Sequence, residues 1–476
     1  YQNASSNNKR VKYVNLFGDA SYDYKNRIFN NNNIVPVFHG FNTLASENNN
    51  ISNLSTYLTF MSDDFYGLMD NNEGTMPTIG NTSDLLDGID IAVGRMPVST
   101  TTQAAEMVNK IIEYHDIKSY GRWRNSYVIF SDDADNSTDA TLQFALNDLS
   151  DVIAAQKPFI NVKKIHTDSY AQEISSGGER YPSAKKDFLD AIELGALVVN
   201  YYGHGGEESL ARERLFEKAD AQNLNNRYRY PLFITITCEF TRFDDPNRPT
   251  GGEYMYWNKA GGAVAMVATT RQIAVSVGED MNIGFAENLF NYGLDTYPTI
   301  ADAVRLTKIT TASTNRRVVF FIGDPAMYLA IPKQKVILTK VNDVPITQPI
   351  DNFQALSLMK VSGEVVDENN ILINDYNGDL AVQIFDKNYE RQTLGNNGFV
   401  STGTTYGGTY FPPGQLVTMT YNTLGETIFR GNASVNNGTF EFSFIVPQDI
   451  KIPLGNGRIS FYAKRQFPYL DNQTGY

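Results

Sequence analysis

One cysteine, Cys238, is all that the 476 residues contain. A single thiol closes no internal disulfide, so no disulfide framework supports the fold. The compartment stays open, because many bacterial surface proteins also lack disulfides. The lone thiol is either inert core filling or a reagent. With four histidines and that one cysteine, no structural zinc site is expected. No run of about 18 apolar residues occurs, so no transmembrane helix is expected. Positive charge is also short: 40 Lys+Arg stand against 53 Asp+Glu, for a net charge of -13. That balance excludes the basic surface a nucleic-acid partner needs, and any general affinity for anionic membranes. The chain opens on YQNASSNNKR, without Met or a signal-peptide pattern, and is expected to be an excised part of a longer protein.

What is present changes character near Pro332. Hydrophobic residues make up 42% and charged residues 20%, enough for a normal core in each of the two to four domains expected at about 150 residues apiece. VKYVNLFGDASYDYKN is a short apolar strand that empties into an Asp-rich loop, the way an α/β unit begins. Residues 30–55 are thick with Asn and Ser and read as loop. DIAVGRMPVSTTTQAAEMVNKIIEYHDI predicts a strand at Ile89–Val93, a turn from Gly94 to Pro97 and a helix from about Thr101 to Asp116. Hydroxyls at Thr100–Thr102 offer its N-cap, and Ala105, Val108, Ile111 and Ile112 its apolar face.

A second series starts at Trp123. Its strands are NSYVIFSDD, NVKKIHTDS, GALVVNYYGHG, YPLFITITCEF and GGAVAMVATT, with helices at Ala140–Ile153, Pro182–Leu194, Leu215–Leu224 and Gly252–Asn258. Such alternation implies a parallel sheet covered on both faces. FIGDPAMYLAI closes it. From Lys335 helix signals stop, and KVILTKVN, LMKVSGEVVD, DLAVQIFD, FEFSFIV and GRISFYAKR follow with Gly-Asn and Asn-Gly turns. That spacing predicts an immunoglobulin-like β-sandwich over 333–476.

Two strand ends carry reactive types. LVVNYYGHGGEE runs out into Gly203-His204-Gly205-Gly206, and LFITITCEFTRFDDP into Cys238. Open α/β sheets place their sites at the carboxyl ends of the strands. If these two strands are neighbours, a thiol and an imidazole share one edge. An adjacent imidazolium can lower a thiol's pKa from near 8.5 to roughly 3.5–7.5, and the histidine can then return the proton to a leaving amine. The N–H groups of Gly205 and Cys238 would form the oxyanion hole.

These segments resemble the gingipain-like cysteine peptidases. FGDASYDYKN, SDDFYGLMD, DIAVGRMPV, RYPSAKKDFLDAIELGALVVNYYGHGG, CEFTRFDDPNRPTGGEYM, GGAVAMVATTR and FIGDPAMYL carry the likeness over about residues 11–331. They are most like the branch that holds the sortase of the type IX secretion system of Bacteroidetes. The resemblance implies an α/β fold of two side-by-side subdomains, 1–120 and a caspase-like 121–332, followed by the immunoglobulin-like domain. It implies Cys238 as nucleophile and His204 as its proton partner. It further implies an enzyme at the outer-membrane surface that cleaves carboxy-terminal sorting domains from cargo, beside type IX secretion components. The acyl group would then pass to a lipopolysaccharide amine. Plain hydrolysis and a non-catalytic, cargo-binding role are the alternatives.

The family's histidine is oriented by an acid, for which Glu173, Asp168 and Glu207 are the candidates. Thr270 and Arg271, after GGAVAMVATT, fall where caspase-type folds line a substrate pocket, though Arg271 could equally form a structural ion pair. No cofactor is required. Structural calcium, which gingipains bind, is a candidate at Asp132, Asp133 and Asp135 in SDDADNSTD, set against a plain capped loop. Asp19, Asp23, Asp63, Asp64, Asp244 and Asp245 are read in the same two ways. His39, His115 and His166 are assigned no role.

Overall fold

The computed structural model describes residues 10–41, 59–71, 73, 76, 88–450 and 455–476. The Asn- and Ser-rich stretch expected to be loop lies outside the described residues beyond residue 41.

Eight strands build one sheet: β1 (Tyr13–Phe17), β2 (Ala92–Met96), β3 (Ser126–Ser131), β4 (Asn161–His166), β5 (Val198–Tyr202), β6 (Leu232–Thr235), β7 (Ala265–Thr269) and β8 (Val319–Ile322). Their spatial order is β1-β2-β8-β7-β6-β5-β3-β4. β1, β2 and β8 run one way and the other five run the opposite way, with β7 against β8 as the antiparallel junction. Two parallel groups therefore share one continuous sheet. The first group is closed by β8, which the chain supplies more than two hundred residues after β2.

The strands are apolar on both sides. In β3, Tyr127 and Ile129 enter one core while Val128 and Phe130 enter the other. A sheet of that kind is stable only when both faces are covered. Helices α2 (Ser137–Gln156), α6 (Val275–Phe290) and α7 (Ile300–Thr310) cover one face. Helices α1 (Thr101–His115), α3 (Pro182–Leu194) and α5 (Gly251–Trp257) cover the other, and a short α4 (Lys218–Asn223) packs on α5. Local chemistry starts these helices where expected. Thr100 caps α1, Pro182 opens α3, and Thr250 with Glu253 forms a capping box on α5.

Two expectations are corrected. The inward face of α1 is Met107, Lys110 and Tyr114, while Val108 and Ile112 are exposed. A hydrophobic pattern discounts Lys110, yet its ammonium is buried because it donates to the carbonyls of Tyr256 and Ala263 at 2.6 and 3.2 Å. β2 runs through Gly94 rather than turning there. A Cβ at Gly94 would lie 2.7 Å from the Gly323 carbonyl oxygen, so the glycine serves close approach.

Arg95 on β2 is fully buried. It donates twice to Asp63, at 2.7 Å each, and to the carbonyls of Gly18, Val35 and Pro36 at 2.9, 2.8 and 3.2 Å. The guanidinium thereby ties the loop after β1 to the start of a 3-10 turn at Asp63–Gly67. Arg95→Met removes both hydrogen bonds from the buried Asp63 carboxylate. The expected cost is about 3–5 kcal/mol, read as a lower urea midpoint at an unchanged slope.

From Lys333 onward the chain forms a five-stranded and a four-stranded sheet, mostly antiparallel. Val361, Val365, Phe440 and Phe444 from one sheet and Leu380, Val382 and Phe461 from the other share a single core. Between strands Gly378–Phe385 and Thr427–Val435 the chain leaves both sheets. It makes two hairpins, Tyr389–Gln392 with Thr420–Thr423 and Thr404–Tyr406 with Thr409–Phe411. This excursion has no counterpart in the strand pattern read from sequence, and it packs on α2. Among the described residues no helix is long and apolar enough to cross a membrane.

Candidate active site

β5 and β6 are parallel neighbours, with Tyr201 opposite Thr235. The two chains stay together past the paired residues, because Thr237 Oγ1 donates to the Gly203 carbonyl at 2.5 Å. Thr269 at the end of β7 donates to the Thr237 carbonyl and fixes the same exit from the other side. His204 and Cys238 each come three residues after the last pair, at the same edge of the sheet. The glycines around the histidine are sterically required. A Cβ on Gly205 would stand 2.6 Å from Thr237 Cγ2 and 3.2 Å from the Cys238 carbonyl oxygen; one on Gly203 would stand 2.5 Å from Asp132 Cβ.

The imidazole is held from the far side. His204 Nε2 meets Asp139 Oδ1 at 2.8 Å. Asp139 is the third residue of α2 and is buried. Its other oxygen accepts from Asn136 Nδ2 at 2.7 Å, and Asn136 in turn caps the helix by accepting from the N–H groups of Thr138 and Asp139. A carboxylate in the first turn also faces the positive end of the helix dipole. The hydrogen bond that His204 donates to Asp139 raises the histidine's pKa above its ordinary value, against the opposing effect of burial. Among the described residues Nδ1 has no hydrogen-bond partner, which leaves it to exchange a proton. The backbone is anchored too: Asp132 Oδ2 accepts the His204 N–H at 2.8 Å, and the Tyr201 hydroxyl donates to the His204 carbonyl at 2.6 Å.

Cys238 is half-buried. Burial pushes its thiol up, while the Ile273 N–H beside the sulfur acts the other way. The next residue, Glu239, takes the left-handed conformation with φ 55°. Such backbone strain is tolerated where the surroundings fix it, here a loop pinned by Asp244. That carboxylate is fully buried and accepts from Arg271 at 2.6 and 3.1 Å, with His39 at 3.3 Å. The Gly205 N–H is left out of the neighbouring bridge to Leu210, whose hydrogen bonds run from Gly206 to Ser209 and from Ala211 to His204.

The other sequence candidates go elsewhere. Glu173 lies exposed on a small hairpin. Asp168 is buried under the excursion and accepts from the N–H groups of Gly395 and Asn396 at 3.0 and 2.9 Å. Glu207 pairs with Arg242 at 2.9 Å and Arg248 at 3.2 Å. The acid on the imidazole is Asp139, which lies within the SDDADNSTD segment noted from sequence but was given no role there. An Asn-x-x-Asp helix start directly after a strand was the available signal. Thr270 and Arg271 are both buried: the Thr270 hydroxyl donates to the Met61 carbonyl at 3.0 Å, and Arg271 is spent on Asp244. Arg271 thus makes the structural ion pair.

Of the calcium candidates, Asp132 and Asp133 come together, joined by Glu213 instead of Asp135. The three buried groups place carboxylate oxygens within 4.8 Å of one another. Burial raises Asp132 well above the usual carboxylate range, Asp133 and Glu213 adding to it, and pushes Glu213 up to about 7. Such oxygen donors suit a hard cation. Asp135 faces Asn397 and, at 3.7 Å, Arg212.

Comparison with known proteins gives one decisive result. The family model of peptidase family C25 matches residues 1–330. No match is found among curated proteins. Among solved structures, the Arg-specific cysteine proteinase gingipain R (RgpB) aligns over 100% of this chain and 86% of its own, at 14% identity and TM-score 0.49. The complex of Porphyromonas gingivalis RgpB pro- and mature domains aligns over 100% and 88%, at 14% and 0.48. Dimeric latent PorU from Porphyromonas gingivalis aligns over 97% of this chain and 35% of its own, at 16% and 0.34. With the family model covering well over half of its length, this chain belongs to peptidase family C25, the gingipain family of cysteine peptidases.

Proposed function

We propose that the chain is a cell-surface cysteine endopeptidase in which Cys238 is the nucleophile, His204 the general base and acid, and Asp139 the group that orients His204. The observation that carries this reading is the meeting of β5 and β6 at one edge, with the imidazole's Nε2 on Asp139 and its Nδ1 open. The Cys238 thiol gives its proton to His204 Nδ1 and the sulfur attacks the scissile carbonyl carbon. The N–H groups of Gly205 and Cys238 receive the oxyanion, each such donor being worth about 3 kcal/mol. The tetrahedral intermediate expels the amine, which takes the proton from His204, and a thioester remains.

What captures the thioester decides the biology. The motif likeness to the sortase branch favours an amine over water. Cargo would lose its carboxy-terminal sorting domain and gain an amide to a lipopolysaccharide amine, at the outer membrane beside type IX secretion components. The trailing β-unit is then the family's immunoglobulin-like domain. Calcium, if part of the protein, would be held by Asp132, Asp133 and Glu213.

The test is a product analysis. The protein is incubated with cargo bearing a sorting domain and with a saturating amine donor, and the new carboxyl ends are weighed by mass spectrometry. Amide products carrying the donor are expected. Hydrolysed ends alone would assign a plain protease.

A further inference from the structure

The excursion from the β-sandwich ends on the helix that carries Asp139. Ala134, Ala140 and Phe144, at the loop and first turns of α2, are buried under Tyr406, Phe411, Val417, Met419 and Tyr421. Phe144 stacks on Tyr406 with ring centroids 5.9 Å apart and meets Phe411 edge-on at 6.1 Å. A Cβ on Gly407 would lie 2.6 Å from the Phe144 ring, so the hairpin is fitted closely to the helix.

Polar contacts aim at the same place. The segment Leu394–Asn397 grips two strand ends at once. The Leu394 N–H donates to the Asp168 carbonyl at 2.7 Å, while Gly395 and Asn396 hold the Asp168 carboxylate after β4. Asn397 Nδ2 donates to Asp133 Oδ2 at 2.7 Å and to Asp135 Oδ1, bridging two acids in the loop between β3 and α2. Asp133 also accepts from the Tyr181 hydroxyl at 2.7 Å, and Asp135 has the largely exposed Arg212 at 3.7 Å. Carboxylates crowd the five-residue loop between β3 and α2, and the neutral amide of Asn397 draws two of them onto one donor group. That loop leads straight into Asn136, which caps α2 and holds Asp139.

We propose that Asn397, delivered by the excursion at residues 386–425, is a positioning residue for the catalytic site, setting the loop that aims Asp139 at His204. The inference rests on the catalytic reading of Asp139 and His204. It makes the β-sandwich a working part of the peptidase unit, since the Asp139–His204 hydrogen bond depends on a contact made from more than two hundred residues away. Asn397 touches neither substrate nor imidazole, and acts through the loop.

The experiment is a double-mutant cycle on the full chain, reading kcat and KM for one sorting-domain peptide. Asn397→Ala is expected to lower kcat roughly 10- to 100-fold, the scale of a small misplacement of a catalytic group, at unchanged KM. In an Asp139→Asn background the same substitution is expected to add nothing, because no acid is left to aim. Asn397→Gln, which keeps the amide, is expected to recover part of kcat. Asn397 lies in a turn between the two hairpins and is half-buried, and melting curves check that the variant is folded at the assay temperature. If Asn397→Ala leaves kcat unchanged, or if its loss multiplies that of Asp139→Asn, the proposal is overturned while the catalytic reading stands. If Asp139→Asn itself leaves kcat unchanged, the catalytic reading is what fails.

Discussion

Replacing Cys238 by Ala is expected to end peptide cleavage, with kcat lower by about 10,000-fold or more, in a protein that melts at nearly the same temperature. The two halves of that expectation have different physical sources. In the proposed mechanism the thiol supplies the electron pair that makes the acyl-enzyme, and the chain has no second cysteine to replace it. The fold loses little, because Cys238 lies past the last paired residue of β6 and is half-buried. Active-site titration and single-turnover kinetics on purified variant and parent measure the loss; calorimetry measures the melting temperature. Retained turnover would move the nucleophile elsewhere.

Asp139→Asn is the second large effect. It keeps the size of the side chain and removes the charge that holds Nε2. With the imidazole free to rotate and no carboxylate to stabilise the imidazolium, kcat is expected to fall roughly 100- to 10,000-fold. The pH profile carries a second signature. Asp139 raises the His204 pKa and burial raises the Cys238 thiol. The imidazole must be neutral to take the thiol proton, so the acid limb of kcat/KM reports the imidazolium. Asp139→Asn lowers that pKa, so the limb moves to lower pH. Glu173→Gln, at an exposed hairpin with no tie to the histidine, is expected to change neither the rate nor the profile. Rates across pH 5–9 for the three proteins decide the point.

The strands that lead to His204 and Cys238 were legible because both are short apolar runs that end in a reactive residue type, and a parallel α/β pattern brings such ends to one edge. The Thr100 cap of α1 and the opening of α3 at Pro182 were legible too, from a hydroxyl run and from a proline at a helix start. The carboxylate on His204, Asp139, was not legible in this way. Candidates near the strands and beside the dyad came first to notice, whereas Asp139 reaches His204 from the first turn of a helix on the neighbouring β3 connection. Lys110 and Arg95 were missed for a related reason: each is a charged residue made stable in the core by several carbonyl or carboxylate partners scattered along the chain. Spacing along a sequence carries no trace of such partners. The excursion at 386–425 escaped too. Its short hairpins have no alternating pattern of their own, and they bury their aromatics against Phe144 of a distant helix rather than in either sheet of the β-sandwich.

The most direct test of the thiol–imidazole pair is the alkylation rate of Cys238 by iodoacetamide at neutral pH, followed by mass spectrometry in the parent and in His204→Ala. Partnership predicts fast, selective labelling in the parent and a loss of at least about tenfold without the imidazole, since the thiol alone is raised by burial. Equal rates in the two proteins would show that the imidazole does nothing for the sulfur, and the account of this chain as a working peptidase would be contradicted.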